Sequence, residues 1–385
     1  MTCIATPASL SLSRGSTLVQ DVDEEIFLLY TRKLQVSSSG SGSAAPDEQA
    51  GDRGGLGFHS STQEILPVSL TIRDPFAAQS SSNERFGSKG ARGKGKKGRK
   101  KDEVVVQVDV HQALDALRNR KGDTGSVVWR LSLNLAQYLL QQHHFPSPTC
   151  PALLPDLSTS TILELGSGTG FLGVALRSIW QGSSSSPVRG RWIFSDQLVN
   201  LPLVMRNLRG NGVLPAASDS ARTASRKRPS PSGGDAATVE VLELDWLAEA
   251  AAWDANPHSL HAPSSAPLSS SPSSRRPSAL ETPPDLILAV DCIYNPSLSA
   301  PLAKTILRHA GPDTVVVVAS ELRDEEPLEE FLRAWKELGS EEEGWRIARV
   351  GWDDEAEKVQ EAAKLASSQF VVWVGWQEQL ERDKA

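Results

Sequence analysis

Thr161–Gly173 reads TILELGSGTGFLG: five residues of strand character with an acid at Glu164, then glycines at 166, 168, 170 and 173. A strand that must turn sharply into a helix uses glycine there, because glycine takes positive φ without strain and lets a ligand approach the backbone. The helix that follows offers unpaired N–H groups in its first turn. Strand, glycine loop and helix in that order open a doubly wound α/β sheet with a ligand at the loop.

The pattern outward from this unit is regular. After the strand at 161–165 and a helix at 170–180 come strand 191–195, helix 198–209 and strand 238–243. Strand 285–290, helix 297–309, strand 314–319 and helix 326–337 follow, and WRIARVG (345–351) and QFVVWVGW (369–376) read as closing strands. This alternation predicts a mostly parallel, Rossmann-like sheet with helices on both faces. Upstream, VVWRLSLNLAQYLL (127–140) has helical spacing, and DVDEEIFLLYTRKLQ (21–35) predicts a short amphipathic helix capped by Asp21. QEILPVSLTI (63–72) and EVVVQVDV (103–110) predict a hairpin with a long Ser/Gly/Lys-rich tip. The division that follows is an N-terminal extension over 1–123 and a sheet domain over 124–385. Ser/Pro-rich inserts at 215–236 and 255–284 interrupt the second part and bury little apolar surface.

The 385 residues carry a net charge of −7, and this becomes −16 once the nine Lys/Arg between Arg85 and Lys101 are set aside. An acidic body argues against a broad nucleic-acid face and suits a basic protein partner. The basic run 85–101 suits weak, sequence-independent contact with RNA, nuclear import, or a solvated linker. Cys3, Cys150 and Cys292 lie far apart with no CxxC, so neither a disulfide framework nor a zinc site is expected, and the compartment is a reducing one. No apolar run reaches the ~18 residues of a membrane span, and the first residues lack the pattern of a secretory signal. A monomer in the cytoplasm, or the nucleus, is the expectation.

Two templates fit the glycine loop. Gly168-x-Gly170-x-x-Gly173 satisfies the dinucleotide pattern, and Glu164-x-Gly166-x-Gly168-x-Gly170 that of S-adenosylmethionine enzymes. A carboxylate at Glu164 repels a diphosphate and favours a ligand carrying an ammonium and a sulfonium. Asp196 ends the next strand, where a carboxylate accepts hydrogen bonds from ribose hydroxyls of either ligand. Trp246, in LDW after the third strand, suits an adenine ring, with Asp245 near its amino group. LAVDCIY (288–294) places Asp291 and Tyr294 at a strand's carboxyl end, where doubly wound sheets bind their ligands.

TGSVVWRLSLNLAQYL (124–139), ILELGSGTGFLGVAL (162–176), SDQLVNLPLVMRNLRGN (195–211), LELDW (242–246) and DLILAVDCIYNPSL (285–298) follow one another. In order and spacing they resemble the protein-lysine methyltransferases of the methyltransferase-like 21 group, within the seven-strand class. DEEIFLLYTRK (23–33) is similar to the fungal ribosomal lysine N-methyltransferase 5 branch of that group. The resemblance implies a class I, Rossmann-like methyltransferase fold and an S-adenosyl-L-methionine site at Trp129, Gly166, Ser167, Gly168, Asp196, Trp246 and Val290. It implies that Asp291 and Tyr294 line a lysine channel, and that the substrate is a protein of the large ribosomal subunit. Cys292–Ile293 stands where enzymes acting on planar amides or adenine carry Pro-Pro, which favours a flexible aliphatic amine. Two other readings compete: an NAD-dependent oxidoreductase using the dinucleotide register, opposed by Glu164, and a non-catalytic RNA- or ribosome-associated protein, supported by the basic run.

Overall fold

The structure, a computed structural model, describes residues 6–7, 10–39, 58–60, 62–75, 103–119, 124–146, 153–154, 156–181, 190–215, 238–255, 280–339, 344–351, 364–367 and 369–378. The basic run 85–101 and most of both inserts lie outside these residues.

The strands that build the sheet domain are β4 (Thr161–Leu165), β5 (Arg191–Asp196), β6 (Thr238–Glu243), β7 (Leu286–Val290), β8 (Val315–Glu321), β9 (Trp345–Arg349) and β10 (Phe370–Gln377). They are joined by β1 (Thr17–Leu18), in the order β1-β9-β10-β8-β7-β4-β5-β6. The run from β8 to β6 is parallel, while β10 enters antiparallel between β8 and β9. This is the sheet of the class I methyltransferase fold, extended at one edge by β1. The short β1 was not apparent in the sequence. Its two residues carry no periodicity of their own and are held by pairing with Arg349 and Ala348.

The central strands are apolar at nearly every position because both faces are covered. VVVVASE of β8 is buried throughout. Alternate residues feed two cores. Ile162, Trp192, Phe194, Leu286, Leu288 and Val317 point to one, and Leu163, Leu165, Ile193, Ile287, Val316 and Val318 to the other. The second core is closed by α1 (Val22–Ser39), α7 (Trp246–Ala255), α8 (Pro296–His309) and α9 (Glu325–Leu338). In α9, Leu328, Phe331, Leu332 and Trp335 recur at helical spacing and are all buried, below a first turn bearing Glu325 and Glu326.

The first core is closed by α3 (Arg130–His144), α4 (Phe171–Ala175), α5 (Arg177–Trp180), α6 (Leu201–Gly210) and a separate hairpin, β2 (Ile65–Arg73) with β3 (Glu103–His111). The hairpin is antiparallel, as its sequence predicts, and α2 (Leu114–Asn119) follows it. The predicted helix over 170–180 is broken at Leu176. The Trp180 indole donates to the Gly173 carbonyl at 2.8 Å, the acceptor that an unbroken helix would give to the amide of residue 177. Helix α7 was not anticipated. Its Ala-rich sequence lacks a clear apolar stripe, and only Asp245, which accepts the Leu247 amide at 2.9 Å, marks its start.

Candidate active site

At the carboxyl ends of β4, β5 and β7, and beside the segment leading into α3, lies a cleft of about 380 Å³. Its lining includes Trp129, Glu164, Gly166, Ser167, Gly168, Asp196, Trp246, Val290, Asp291 and Tyr294, so the structure brings these ten sequence-selected residues to one place, whereas Asp245, expected beside the adenine amino group, lies outside the lining and accepts the Leu247 amide at 2.9 Å.

The glycine loop earns its composition. Gly166, Gly168 and Gly170 have φ of 61°, 56° and 72°. Gly173 differs: a Cβ there would stand 2.5 Å from the Phe194 ring, so this glycine serves close packing of α4 on β5. The last position of the dinucleotide register is therefore explained by packing. Ser167 closes the loop on the sheet. Its amide donates to the Ser195 carbonyl at 2.9 Å, and its hydroxyl accepts the Ser195 amide at 3.0 Å.

Asp196 is fixed at the end of β5. Its Oδ2 accepts the Gly168 amide at 2.7 Å, and its Oδ1 accepts the Gln197 amide at 2.8 Å and the Asn200 side chain at 2.9 Å. These bonds hold a buried carboxylate at the edge of the cleft. Glu164 is buried beneath the loop, where its Oε2 accepts the Trp192 indole N–H at 2.8 Å. Burial pushes its carboxyl up to about 8, helped by the charge of Asp196 and opposed by the Trp192 hydrogen bond. The side chain is thus mostly protonated at neutral pH while nothing cationic faces it. The ionised carboxylate expected from the sequence is not the state this burial favours alone.

Two tryptophans wall the cleft. Trp246 starts α7, its ring against Gly166, where a Cβ would stand 3.2 Å from it. Trp129 precedes α3 and donates its indole N–H to the Thr124 carbonyl at 2.8 Å, with Phe58 edge-on at 6.1 Å. Val290 ends β7 with its side chain half-buried. Tyr294 is half-buried beside Asn295, whose Oδ1 caps α8 by accepting the Ser297 amide at 3.1 Å. Buried Cys292 lies against Gly166, its thiol pushed well up by burial and by the charges of Asp196, Asp291 and Glu164.

Asp291 is the one non-glycine residue of positive φ among the described residues, at 59°. An aspartate tolerates this region better than most side chains. Its carboxylate accepts from the two terminal guanidinium nitrogens of Arg323, Nη1 at 2.8 Å and Nη2 at 2.7 Å. Arg323 also reaches Glu321 at 3.0 Å and stacks its guanidinium 4.7 Å from the Trp129 ring centroid. Arg323, Cys292 and Asn200 were missed as site residues. Arg323 lies past the end of β8 in no motif, and only the three-dimensional fold carries it to Asp291. Asn200 could have been found, as an amide four residues after Asp196.

Two aromatic walls and two buried acids fit a ligand with a purine, a ribose and a cationic amino-acid end. A diphosphate would instead meet the Asp196 carboxylate. No group of His, Cys, Asp and Glu able to hold a metal ion occurs among the described residues.

A family model described as lysine methyltransferase matches residues 109–223 and 274–337, which carry most of the cleft. Diaminohydroxyphosphoribosylamino-pyrimidine deaminase of Schizosaccharomyces pombe (strain 972 / ATCC 24843) is 31% identical over 228 residues, 58% of this chain and 41% of that protein. The chain thus spans about two-fifths of that curated relative's length, and the relative's name is not that of the ribosomal branch suggested by residues 23–33. Among solved structures, a putative SAM-dependent methyltransferase from Streptococcus mutans aligns over 71% of this chain and 53% of its own, at 12% identity and a TM-score of 0.35. TrmN from Thermus thermophilus aligns over 72% and 57%, at 14% identity and a TM-score of 0.32. Likenesses of that size carry no argument. Strand order, cleft and matched family model together give a class I methyltransferase fold whose cofactor is S-adenosylmethionine.

Proposed function

We propose that this chain is an S-adenosylmethionine-dependent protein-lysine N-methyltransferase acting on a protein of the large ribosomal subunit. The observation that carries the reaction class is the Asp291–Tyr294 block at the end of β7, lining the same cleft as the glycine loop. The matched family's description supports lysine as acceptor. The acidic chain and the segment at 23–33 support a basic ribosomal protein, met in the cytoplasm by a monomer. No helix among the described residues is long and apolar enough to cross a membrane.

In this reading Asp196 takes the ribose hydroxyls, Trp246 the adenine, and Glu164 with Gly166–Gly168 the amino-acid end. When bound, the cofactor supplies an electrophilic methyl group carried on a sulfonium. The residues of this chain then have one main task, to present a lysine nitrogen in line with that methyl. To take up that methyl the nitrogen would need its lone pair free. The amine must therefore arrive without its extra proton, although a free lysine holds it up to about pH 10.4. Tyr294 gives the alkyl chain aromatic surface and, with Trp129 on the cofactor side, excludes water, which lowers that value. The proton leaves to solvent before transfer, and no side chain is needed as a dedicated base.

The test is tritiated methyl transfer onto ribosomes from a strain lacking this protein. One labelled large-subunit protein is expected, with at least tenfold less label from the Asp291→Ala/Tyr294→Phe double variant. Label on no ribosomal protein removes the substrate assignment, and full label from the double variant removes the acceptor assignment.

A further inference from the structure

The acceptor end already has a cation. If Asp291 lined the lysine channel by binding the ammonium, its carboxylate would have to be available. Both its oxygens instead face Arg323, in a fork geometry matched to a carboxylate. The Asp291 side chain is 1% exposed and that of Arg323 23%. The pair is anchored to β8 and α3. The Asp291 amide donates to the Ala319 carbonyl of β8 at 2.8 Å, and Glu321 of β8 takes Arg323 at 3.0 Å and Arg130 of α3 at 3.1 Å. The guanidinium face lies over Trp129, which also lines the cleft.

We propose that Arg323 is the positioning residue of the acceptor site: it, and not the incoming lysine, is the partner of Asp291, and it ties that residue to Trp129 so that the lysine is received as a neutral amine. This rests on the lysine methyltransferase reading. An ammonium entering here would meet a guanidinium whose carboxylate is already matched, and would gain little from Asp291. A neutral amine suffers no such loss and is the form that reacts. Asp291 in turn holds Arg323 against Trp129, and its left-handed backbone turns the chain at the end of β7 towards Tyr294. Burial works against the Arg323 charge, but the bonds and charges of Asp291 and Glu321 outweigh it and hold its pKa above the usual value. The ionisable groups nearby are Glu321 from β8, Arg130 from α3, Cys292 and Tyr294 after β7, and Glu164 and Asp196 deeper in the cleft. Lysine does not substitute for this arginine, because a point charge cannot fork onto Asp291 and stack on an indole together.

The first test is a crystal structure of the wild-type protein with S-adenosylhomocysteine. The Asp291–Arg323 fork and the Trp129 stack are expected intact, and an Arg323 turned away from Asp291 overturns the proposal. The second is the pH dependence of methyl transfer onto the ribosomal protein fraction. Arg323→Gln exposes the Asp291 carboxylate to the substrate ammonium. We expect kcat to fall at least tenfold, KM to stay level or drop, and the alkaline-rising limb to move up by about one pH unit. Asp291→Asn/Arg323→Gln removes that carboxylate and returns the limb to the wild-type position, as Arg323→Lys, with its charge kept, also does while losing kcat at least tenfold. A wild-type limb in Arg323→Gln, or wild-type kcat in Arg323→Lys, overturns the proposal. If Arg323→Gln does not fold, the Lys variant decides. If the wild type labels nothing, the lysine methyltransferase reading fails, and the crystal structure still decides the pairing.

Discussion

Gly166 combines a φ of 61° with a crowded neighbourhood: a Cβ would lie 2.9 Å from Cys292 Sγ and 3.2 Å from the Trp246 ring. The backbone conformation alone costs an L-residue about 1–2 kcal/mol, and the contacts add to it. Gly166→Ala should therefore lower stability by about 2 kcal/mol and weaken S-adenosylmethionine binding at least tenfold, because Trp246 must move. Calorimetric titration with a parallel melt checks this, and unchanged affinity would remove Trp246 from the cofactor site. Glu164 offers a second test. Its folded pKa of about 8 lies above the ordinary 4.5, so the folded protein keeps a proton that the unfolded chain loses between those values. Stability owed to this group is greatest below about pH 4.5, declines through that window and is level above 8. Glu164→Gln should cancel the decline, narrowing its deficit against wild type, or turning it to a gain, by several kcal/mol between pH 5 and 8. Denaturant melts at both pH values measure it. A difference that does not change with pH would mean that Glu164 is ionised in the free protein.

Between elements, one coupling to the cleft runs through α6. Asn207 is 1% exposed. Its amide accepts the His111 N–H at 2.7 Å and donates to the His111 and Thr169 carbonyls at 3.0 and 2.9 Å. The side chain therefore joins the end of the hairpin to the glycine loop. Asn211, one turn later, repeats the arrangement on Asp109. Asn207→Ala leaves three backbone groups without that partner, so a loss of about 2 kcal/mol is expected. Cofactor affinity should fall severalfold, read by titration with S-adenosylhomocysteine. A variant that melts earlier but binds as tightly would make the hairpin a support with no hold on the loop.

At the scale of the molecule, the N-terminal helix α1 belongs to the same body as the sheet. Its buried Glu25 accepts the Trp373 indole of β10 at 2.9 Å and pairs with Arg349 of β9 at 3.0 Å. Burial pushes the Glu25 carboxyl up, against the lowering effect of Trp373 and Arg349. The ligand of the cleft should stabilise the whole chain by mass action: S-adenosylmethionine at a hundred times its Kd should add about 2.7 kcal/mol. A differential melt with S-adenosylmethionine and with NAD measures this. A shift with NAD alone would replace the methyltransferase reading by the dinucleotide one.

Much of this architecture could be read before any coordinates, because its signals are local. The buried parallel strands are continuous apolar runs, glycines 166, 168 and 170 stand where positive φ is needed, and Asp196, Trp246, Asp291 and Tyr294 each follow a recognisable strand. Helix ends were less legible: the break at Leu176 depends on Trp180 reaching Gly173, and α7 shows no clear apolar stripe. By itself the sequence determined the doubly wound class, the strand order's raw material and the residues around the cleft, since periodicity and turn chemistry act over a few neighbours. Only the tertiary structure decided what those residues meet: Arg323 on Asp291 across 32 positions, Trp192 on Glu164 across 28, and Glu25 on Trp373 across 348. Charge pairing and burial depend on distance in space, and no pattern along the chain records it.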